Sequence, residues 1–335
     1  MINIAVNGFG RIGRSIVKLL LASNLYDIVA INSHDSNTKR MAYLFKYDST
    51  HGVYHKEVEY NKDHIIVGGK EIKTLFENNI HALNWRELNV DIVIECSGSF
   101  NDCESAKKHI YSGAKRVVIS APSTEDVLTV VMGVNDHLVD KHLTSVISNA
   151  SCTTNCLALM LKVLHDEYTV VKGFFSTIHA YTRDQKIVDS THNDLRRTRA
   201  AAVSIIPTST GAAKNIDKVI PKLKGKIGGS AYRVPVLDGS IVDLVVETGK
   251  KITGRENVNS LFKYFAEEKM KGVLEYIEDP IVSVDIIGNT HSCIFDSELT
   301  SMIDSNFVKV CGWYDNEWGY ASRCVELVEK VSKTL

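Results

Sequence analysis

Ile2-Asn3-Ile4-Ala5-Val6-Asn7-Gly8-Phe9-Gly10-Arg11-Ile12-Gly13-Arg14 is an apolar, β-branched run that stops at three glycines spaced G-x-G-x-x-G. Ser15-Ile16-Val17-Lys18-Leu19-Leu20-Leu21 then carries apolar residues at helical spacing, and Ile28-Val29-Ala30-Ile31 is a second apolar run ending at Asn32. The order is strand, glycine turn, helix, strand. In that setting each glycine has a physical task. Gly8 permits the tight turn, Gly10 lets backbone approach a pyrophosphate, and Gly13 allows close helix–strand packing. The helix N-terminus faces the anion. A dinucleotide cofactor follows from the pattern in its context. An acid about 20 positions on would favour NAD by binding the ribose 2′-hydroxyl. Here Ser33 follows Asn32, Asp35 comes two residues later, and Lys39 and Arg40 stand close by, so NAD and NADP both stay open.

Outward from this unit the same alternation continues. Val90 to Glu95 and Arg116 to Ser120 read as buried parallel strands with a crossover helix over 101–112, which makes an α/β, doubly wound parallel sheet. Residues 55–73 read as an inserted hairpin. Beyond about 150 the pattern changes to strand runs at Phe174–Ile178, Ser230–Val236, Ile241–Val246, Ile281–Ile286 and Val308–Trp313. Helical stretches at 155–166, 210–220 and 256–270 interrupt them. This implies a second, α+β domain with a mixed, largely antiparallel sheet. The tail Ala321–Lys333 is amphipathic and returns to the first domain in this reading. The expected boundaries are 1–151 with 318–335 for the dinucleotide domain and 152–317 for the catalytic domain.

Length and composition fit this plan. The 335 residues are 44% hydrophobic and 24% charged, and Lys plus Arg (39) nearly cancel Asp plus Glu (40). That balance excludes a general nucleic-acid or membrane-surface role, although a net sum hides local clusters. No run reaches membrane-spanning length, and Met1–Asn7 lacks the basic and apolar regions of a secretory signal. Seven cysteines in a long, core-rich chain read as free thiols in a reducing, cytoplasmic compartment.

One of those thiols stands apart. Ser148-Asn149-Ala150-Ser151-Cys152-Thr153-Thr154-Asn155-Cys156 precedes Leu157-Ala158-Leu159-Met160-Leu161, so a helix should begin near Cys152. The helix N-terminus favours the thiolate, the nucleophilic form. Cys156, one turn deeper, reads as a packing residue. The pair is not C-x-x-C and no second pair sits at ligand spacing, so no metal is expected. A thiolate needs a partner, usually His. His55, His64, His109, His142 and His165 lie in charged, surface-like contexts. His179 instead ends the apolar run from Phe174 and is the candidate base. Arg196, Arg197, Arg199 and Arg233 read either as solvated or intersubunit charges or as a pocket for a phosphorylated metabolite, with Thr210 and Gly211 at a helix start as a phosphate seat.

At this point the chain resembles a known family, the phosphorylating glyceraldehyde-3-phosphate dehydrogenases. The resemblance rests on Asn7–Arg14, Lys46-Tyr47-Asp48-Ser49-Thr50-His51-Gly52, Ser148–Cys156, Thr208–Lys214 and Trp313-Tyr314-Asp315-Asn316-Glu317-Trp318-Gly319-Tyr320. It runs from end to end of the chain. It implies that Cys152 is the nucleophile and His179 its base. It implies that Ser151, Thr153, Thr210 and Gly211 line one phosphate position, and that Thr182, Arg197 and Arg233 serve substrate phosphate groups. Arg11, Ile12, Ser120 and Asn316 would contact the dinucleotide, with Ser33 at its ribose. The substrates would be glyceraldehyde 3-phosphate and inorganic phosphate, in glycolysis or gluconeogenesis. The family is homotetrameric, and its loop near 183–205 reaches a neighbouring subunit's cofactor.

Three departures sharpen these expectations. NAD-preferring members carry Asp where this chain has Ser33, and Leu-Pro where it has Ser190-Thr191. Both changes remove obstacles to a 2′-phosphate, as NADP-using members do. After Arg233-Val234-Pro235 the family usually reads Thr-Pro-Asn-Val-Ser, and here it is Val236-Leu237-Asp238-Gly239-Ser240. The nearest alternative is erythrose-4-phosphate dehydrogenase, which shares the cysteine block. His179-Ala180-Tyr181-Thr182 and Thr208-Ser209-Thr210-Gly211 argue against it. A non-catalytic binding protein on the same fold predicts no selective alkylation of Cys152.

Overall fold

In the computed structural model, which describes residues 1–123, 127–141 and 144–335, β1 (Ile2–Asn7) runs through the Gly8 turn into α1 (Arg11–Leu20). β2 (Tyr26–Asn32) returns parallel to it, with Asn7 opposite Asn32. α2 (Thr38–Lys46) starts at Asn37, whose side chain accepts from the Arg40 N–H. A short ribbon, β3 (Tyr47–Asp48) and β4 (Gly52–Val53), follows. β5 (Val58–Tyr60), β6 (His64–Val67) and β7 (Lys70–Leu75) form two successive hairpins rather than the single one expected, and β7 then pairs parallel with β2. β8 (Ile92–Glu95), α3 (Cys103–Tyr111), β9 (Arg116–Ile119), β10 (Leu128–Thr129) and β11 (Val146–Ser148) complete the wound half. Among the described residues the order across this nine-stranded sheet is β10-β11-β9-β8-β1-β2-β7-β6-β5. Its core is aliphatic, with Ile4, Val6, Ile31, Ile94 and Val118 fully buried.

The second sheet is built from longer strands. α4 (Cys152–Tyr168) leads to β12 (Val170–Ala180), β13 (Ile206–Thr208), α5 (Ala212–Val219), β14 (Ile227–Val234) and β15 (Ser240–Thr248). α6 (Arg255–Tyr264), β16 (Leu274–Ile277), β17 (Cys293–Ile303), β18 (Phe307–Tyr314) and α7 (Trp318–Ser332) follow. The described strands order as β13-β14-β12-β15-β18-β17-β16, with parallel pairs only at β12–β14 and β16–β17. α4 packs on β12, β15, β17 and β18. Cys156 through Leu161 are all buried there, so this helix is apolar nearly all round, as a core helix must be.

By its contacts the chain divides into two units. Met1–Val130, Asp136–Ala150 and Ala321–Leu335 make one, and Val131–Asn135 with Ser151–Tyr320 make the other. In the first, α7 is held by Lys330–Asp136 (2.8 Å) in its last turn and by the Asn149 amide on Cys324 Sγ (3.1 Å) nearer its start.

Three expectations are corrected here. Ile281–Ile286 is not a strand: Ser283–Ile286 is a 3-10 turn, because the Asp285 carboxylate accepts the Val282 N–H (2.8 Å) and closes the chain locally. Val282 and Val284, whose alternation mimicked a strand, point to solvent. The helix expected over 256–270 breaks into α6 and one π-helical turn, Phe265–Lys269. His109 is not a surface residue but fully buried, held by Glu95 and Trp85. His142 lies outside the described residues.

Candidate active site

α4 begins where the cap chemistry requires. Ser151 Oγ accepts the Thr154 N–H (3.1 Å), and Cys152 is the first helical residue. Ala150, just before, takes a left-handed φ of 55°, a conformation that costs a non-glycine residue energy and marks a tightly determined spot. The expected thiolate meets an opposing effect. Burial pushes the Cys152 thiol up, and this outweighs the Arg233 charge and the Thr153 N–H, which pull it down. At neutral pH the group facing its partner is therefore the thiol.

That partner is His179, near the end of β12, with Nε2 3.4 Å from Sγ. Burial and the Arg233 charge lower its pKa to about 3, against the bond to the Ala180 carbonyl. The imidazole is thus neutral. Nδ1 and an Arg233 Nη1 both lie on the Ala180 carbonyl (2.7 and 3.1 Å). The same Nη1 also approaches Nδ1 itself (2.5 Å), so Nδ1 sits between a carbonyl that only accepts and a guanidinium that only donates, with Nε2 turned toward sulfur. Register explains the meeting: Arg233 on β14 is opposite His179 on β12 and opposite Ile206 on β13.

Tyr314 completes this group and was not singled out from the sequence. Its buried hydroxyl bonds Thr153 Oγ1 (3.0 Å) and Thr177 Oγ1 (2.8 Å), and its ring stands edge-on to His179 at 5.8 Å. It ties the first turn of α4 to β12. The signal available was its position at the end of an apolar strand, just before Asp315, which caps α7 through the N–H groups of Glu317 and Trp318.

The anion-handling residues form a neighbouring group. Arg197 donates to Thr208 Oγ1 (2.7 Å) and pairs with Asp184, so its charge is already partnered. Arg199 pairs with Asp189 on the surface. Thr182 bonds Gln185 through N and Oγ1, and Thr210 Oγ1 accepts the Ala212 N–H at the start of α5, next to Gly211. Asn316 is bonded to Ser240 (2.6 Å), whose hydroxyl also accepts the Ala180 N–H.

The glycine turn fits the group expected there. Gly8 has φ +106°, and a Cβ on it would lie 2.5 Å from backbone of Cys96 and Ser97. A Cβ on Gly13 would lie 2.1 Å from the Gly8 carbonyl oxygen, so helix and strand touch backbone to backbone. Nothing stands within 4 Å of the corresponding point on Gly10, and no side chain caps α1. The N–H groups of that first turn therefore offer an open cradle for an anion. Beside it, Asn7, Gly8, Asn32, Ser33, Ser97 and Phe100 line a cavity. Arg11 is engaged by Asp48 (3.1 Å), Ile12 is half-buried in α1, and the Ser120 N–H donates to the Glu95 carbonyl (2.9 Å). Ser33 Oγ accepts the Asp35 N–H (3.1 Å), while the Asp35 carboxylate is held by Arg40 (2.8 Å).

Comparison with known proteins agrees along the whole length. Residues 2–103 match the family model "Glyceraldehyde 3-phosphate dehydrogenase, NAD binding domain", and residues 151–316 match the corresponding C-terminal domain. The chain is 49% identical to glyceraldehyde-3-phosphate dehydrogenase of Borreliella burgdorferi over 98% of this chain and 99% of the relative. It is 50% identical to glyceraldehyde-3-phosphate dehydrogenase 2 of Streptomyces avermitilis, over 100% and 99%. With the Geobacillus stearothermophilus enzyme of that name it shares 48%, over 99% and 98%. With both halves matched and half of all positions identical, the chain belongs to the glyceraldehyde-3-phosphate dehydrogenase family.

Proposed function

We infer that this protein is an oxidoreductase that converts glyceraldehyde 3-phosphate and inorganic phosphate to 1,3-bisphosphoglycerate with NAD. The observation that carries the reading is the 3.4 Å contact of Cys152 Sγ with the neutral His179 Nε2 at the start of α4. The erythrose 4-phosphate alternative is not favoured, since the relatives are named for the glyceraldehyde substrate.

The chain's own groups would act as follows. Sγ bonds to the aldehyde carbon while its proton passes to His179 Nε2, and the new alkoxide takes that proton back, giving a thiohemiacetal. NAD, held by the Gly8–Gly13 turn, supplies the two-electron acceptor for its oxidation. His179 takes the hydroxyl proton as the thioester forms. Inorganic phosphate, seated by Ser151, Thr153, Thr210 and Gly211, would attack the thioester carbon and break the C–S bond, and the leaving sulfur would take the proton held on His179, restoring the Cys152 thiol and the neutral imidazole. Thr182, Arg197 and Arg233 hold the substrate phosphate. Replacing Cys152 by Ala is expected to abolish turnover while NAD still binds. Phosphate-dependent turnover surviving in that variant would sink the mechanism.

Ser33 and Ser190-Thr191 further support NADP use comparable to that of NAD, because neither position presents a carboxylate or a bulky apolar obstacle to a 2′-phosphate. The ratio of kcat/KM for the two cofactors is expected within tenfold, and a more than hundredfold preference for NAD contradicts this. The reading carries with it a homotetramer and a reducing, cytoplasmic setting. All seven cysteines are unpaired as disulfides, which is consistent with the latter.

A further inference from the structure

Three strands of the wound sheet end in a polar row. Asn32, Asn7 and Glu95 are register partners across β2, β1 and β8. Two residues earlier on the same face stand Ala30, Ala5 and Val93, which belong to an apolar core with Trp85 and Ala106. The row is nevertheless buried: Asn32 is 5% exposed, Asn7 2%, Glu95 1%, and His109 on α3 is 0%. An ionisable side chain in such a place demands full hydrogen bonding.

It has it. Glu95 Oε2 accepts from Asn7 Nδ2 (2.5 Å) and His109 Nε2 (3.0 Å). Oε1 accepts from the N–H (2.6 Å) and hydroxyl (2.5 Å) of Ser97. The proton of His109 is assigned by Trp85. Indole Nε1–H only donates, and it donates to His109 Nδ1 (2.9 Å), so Nε2 carries the ring hydrogen toward Glu95. Both carboxyl oxygens of Glu95 are thus engaged, each by two partners. The row extends further, because Asn7 Oδ1 accepts from Asn32 Nδ2 (2.7 Å), and Asn32 is bonded in both directions to the backbone of Glu77 (2.9 Å each).

Asn7, Asn32, Ser33, Ser97 and Phe100 are among the residues that line the cavity beside Gly8. Glu95 is bonded to two of them, Asn7 on one oxygen and Ser97 on the other. Ser97 Oγ in turn accepts the Ser99 N–H (3.1 Å), and the Phe100 ring stands edge-on to His109 at 6.2 Å. We propose that Glu95, backed by His109 and Trp85, is a positioning residue for the dinucleotide, fixing the 97–100 loop against the ends of β1 and β2. This rests on the reading that the cavity takes the cofactor. A glutamine here would replace one acceptor by an N–H facing other N–H groups, so the isostere breaks the join without changing its shape.

The test is NAD binding to the full chain by calorimetry. Glu95→Gln is expected to weaken NAD at least tenfold and to raise KM for NAD by more than it lowers kcat. Ser97→Ala, which removes one donor and keeps the carboxylate, is expected to weaken NAD about threefold or more. If Glu95 acts through Ser97, the double variant is no worse than Glu95→Gln alone. Circular dichroism and a cooperative thermal melt report whether each variant is folded. Should Glu95→Gln fail to fold, the Ser97→Ala affinity decides. NAD affinities within twofold of wild type in the folded variants, or fully additive losses, overturn the inference. Wild-type protein that binds no NAD overturns the cofactor reading together with it.

Discussion

Cys152 and His179 face one another as uncharged groups, and the reason is burial at both. The helix N-terminus and Arg233 favour charge on sulfur, but desolvation is the larger effect in the unliganded site. The base is thereby ready to accept a proton, while the nucleophile is formed as it reacts. Asp238 shows the same force acting on a carboxyl. Burial, with Asp315 and Glu317 nearby, pushes it up to about 9 from an ordinary 3.8. The folded state keeps that proton while the unfolded state loses it. Its stability is therefore fully present below about pH 4 and falls as pH rises toward 9, by roughly 1.4 kcal/mol per unit at most. Asp238→Asn, which restores the family's usual residue, should gain thermal stability over wild type between pH 5 and pH 8. Parallel melting-temperature profiles for the two proteins would contradict the assignment.

At the scale of elements, Tyr314 is the joint between α4 and β12. Tyr314→Phe leaves Thr153 and Thr177 hydroxyls buried without that partner, and the expected loss is about 1–3 kcal/mol in a urea titration. A loss under about 0.5 kcal/mol would mean the two threonines re-pair. How much of this was readable beforehand varies by element. The glycine turn, the Ser151 cap and the run into His179 were legible because each depends on neighbours in sequence. Tyr314 was not, because Thr177 and Thr153 are 137 and 161 residues away, and the bond from Glu95 to Asn7 was not, because 88 residues separate them and sheet register brings them together. His109 looked superficial because lysines precede it in sequence, while the residues that hold it, Trp85 and Glu95, come from two other segments. Val282 and Val284 misled in the opposite direction, since alternation means a strand only where one face is covered.

At the scale of the whole molecule, the proposed tetramer has a visible candidate contact. Ile187, Leu195 and Val203 are each more than 80% exposed within the 183–205 loop. Light scattering of the full chain is expected to give four times the chain mass, and Ile187→Asp with Leu195→Asp to reduce it. A monomer for the unaltered chain would rule the assembly out. The division of the chain into units also bears on synthesis. The unit that holds the Gly8 turn is not finished by its own first 150 residues, because it also needs Ala321–Leu335. A ribosome delivers that segment only after Ser151–Tyr320. The half whose translation begins first therefore cannot be closed until the other half has emerged, so the Gly8 turn and the segment that completes its unit are separated by the synthesis of a whole second unit.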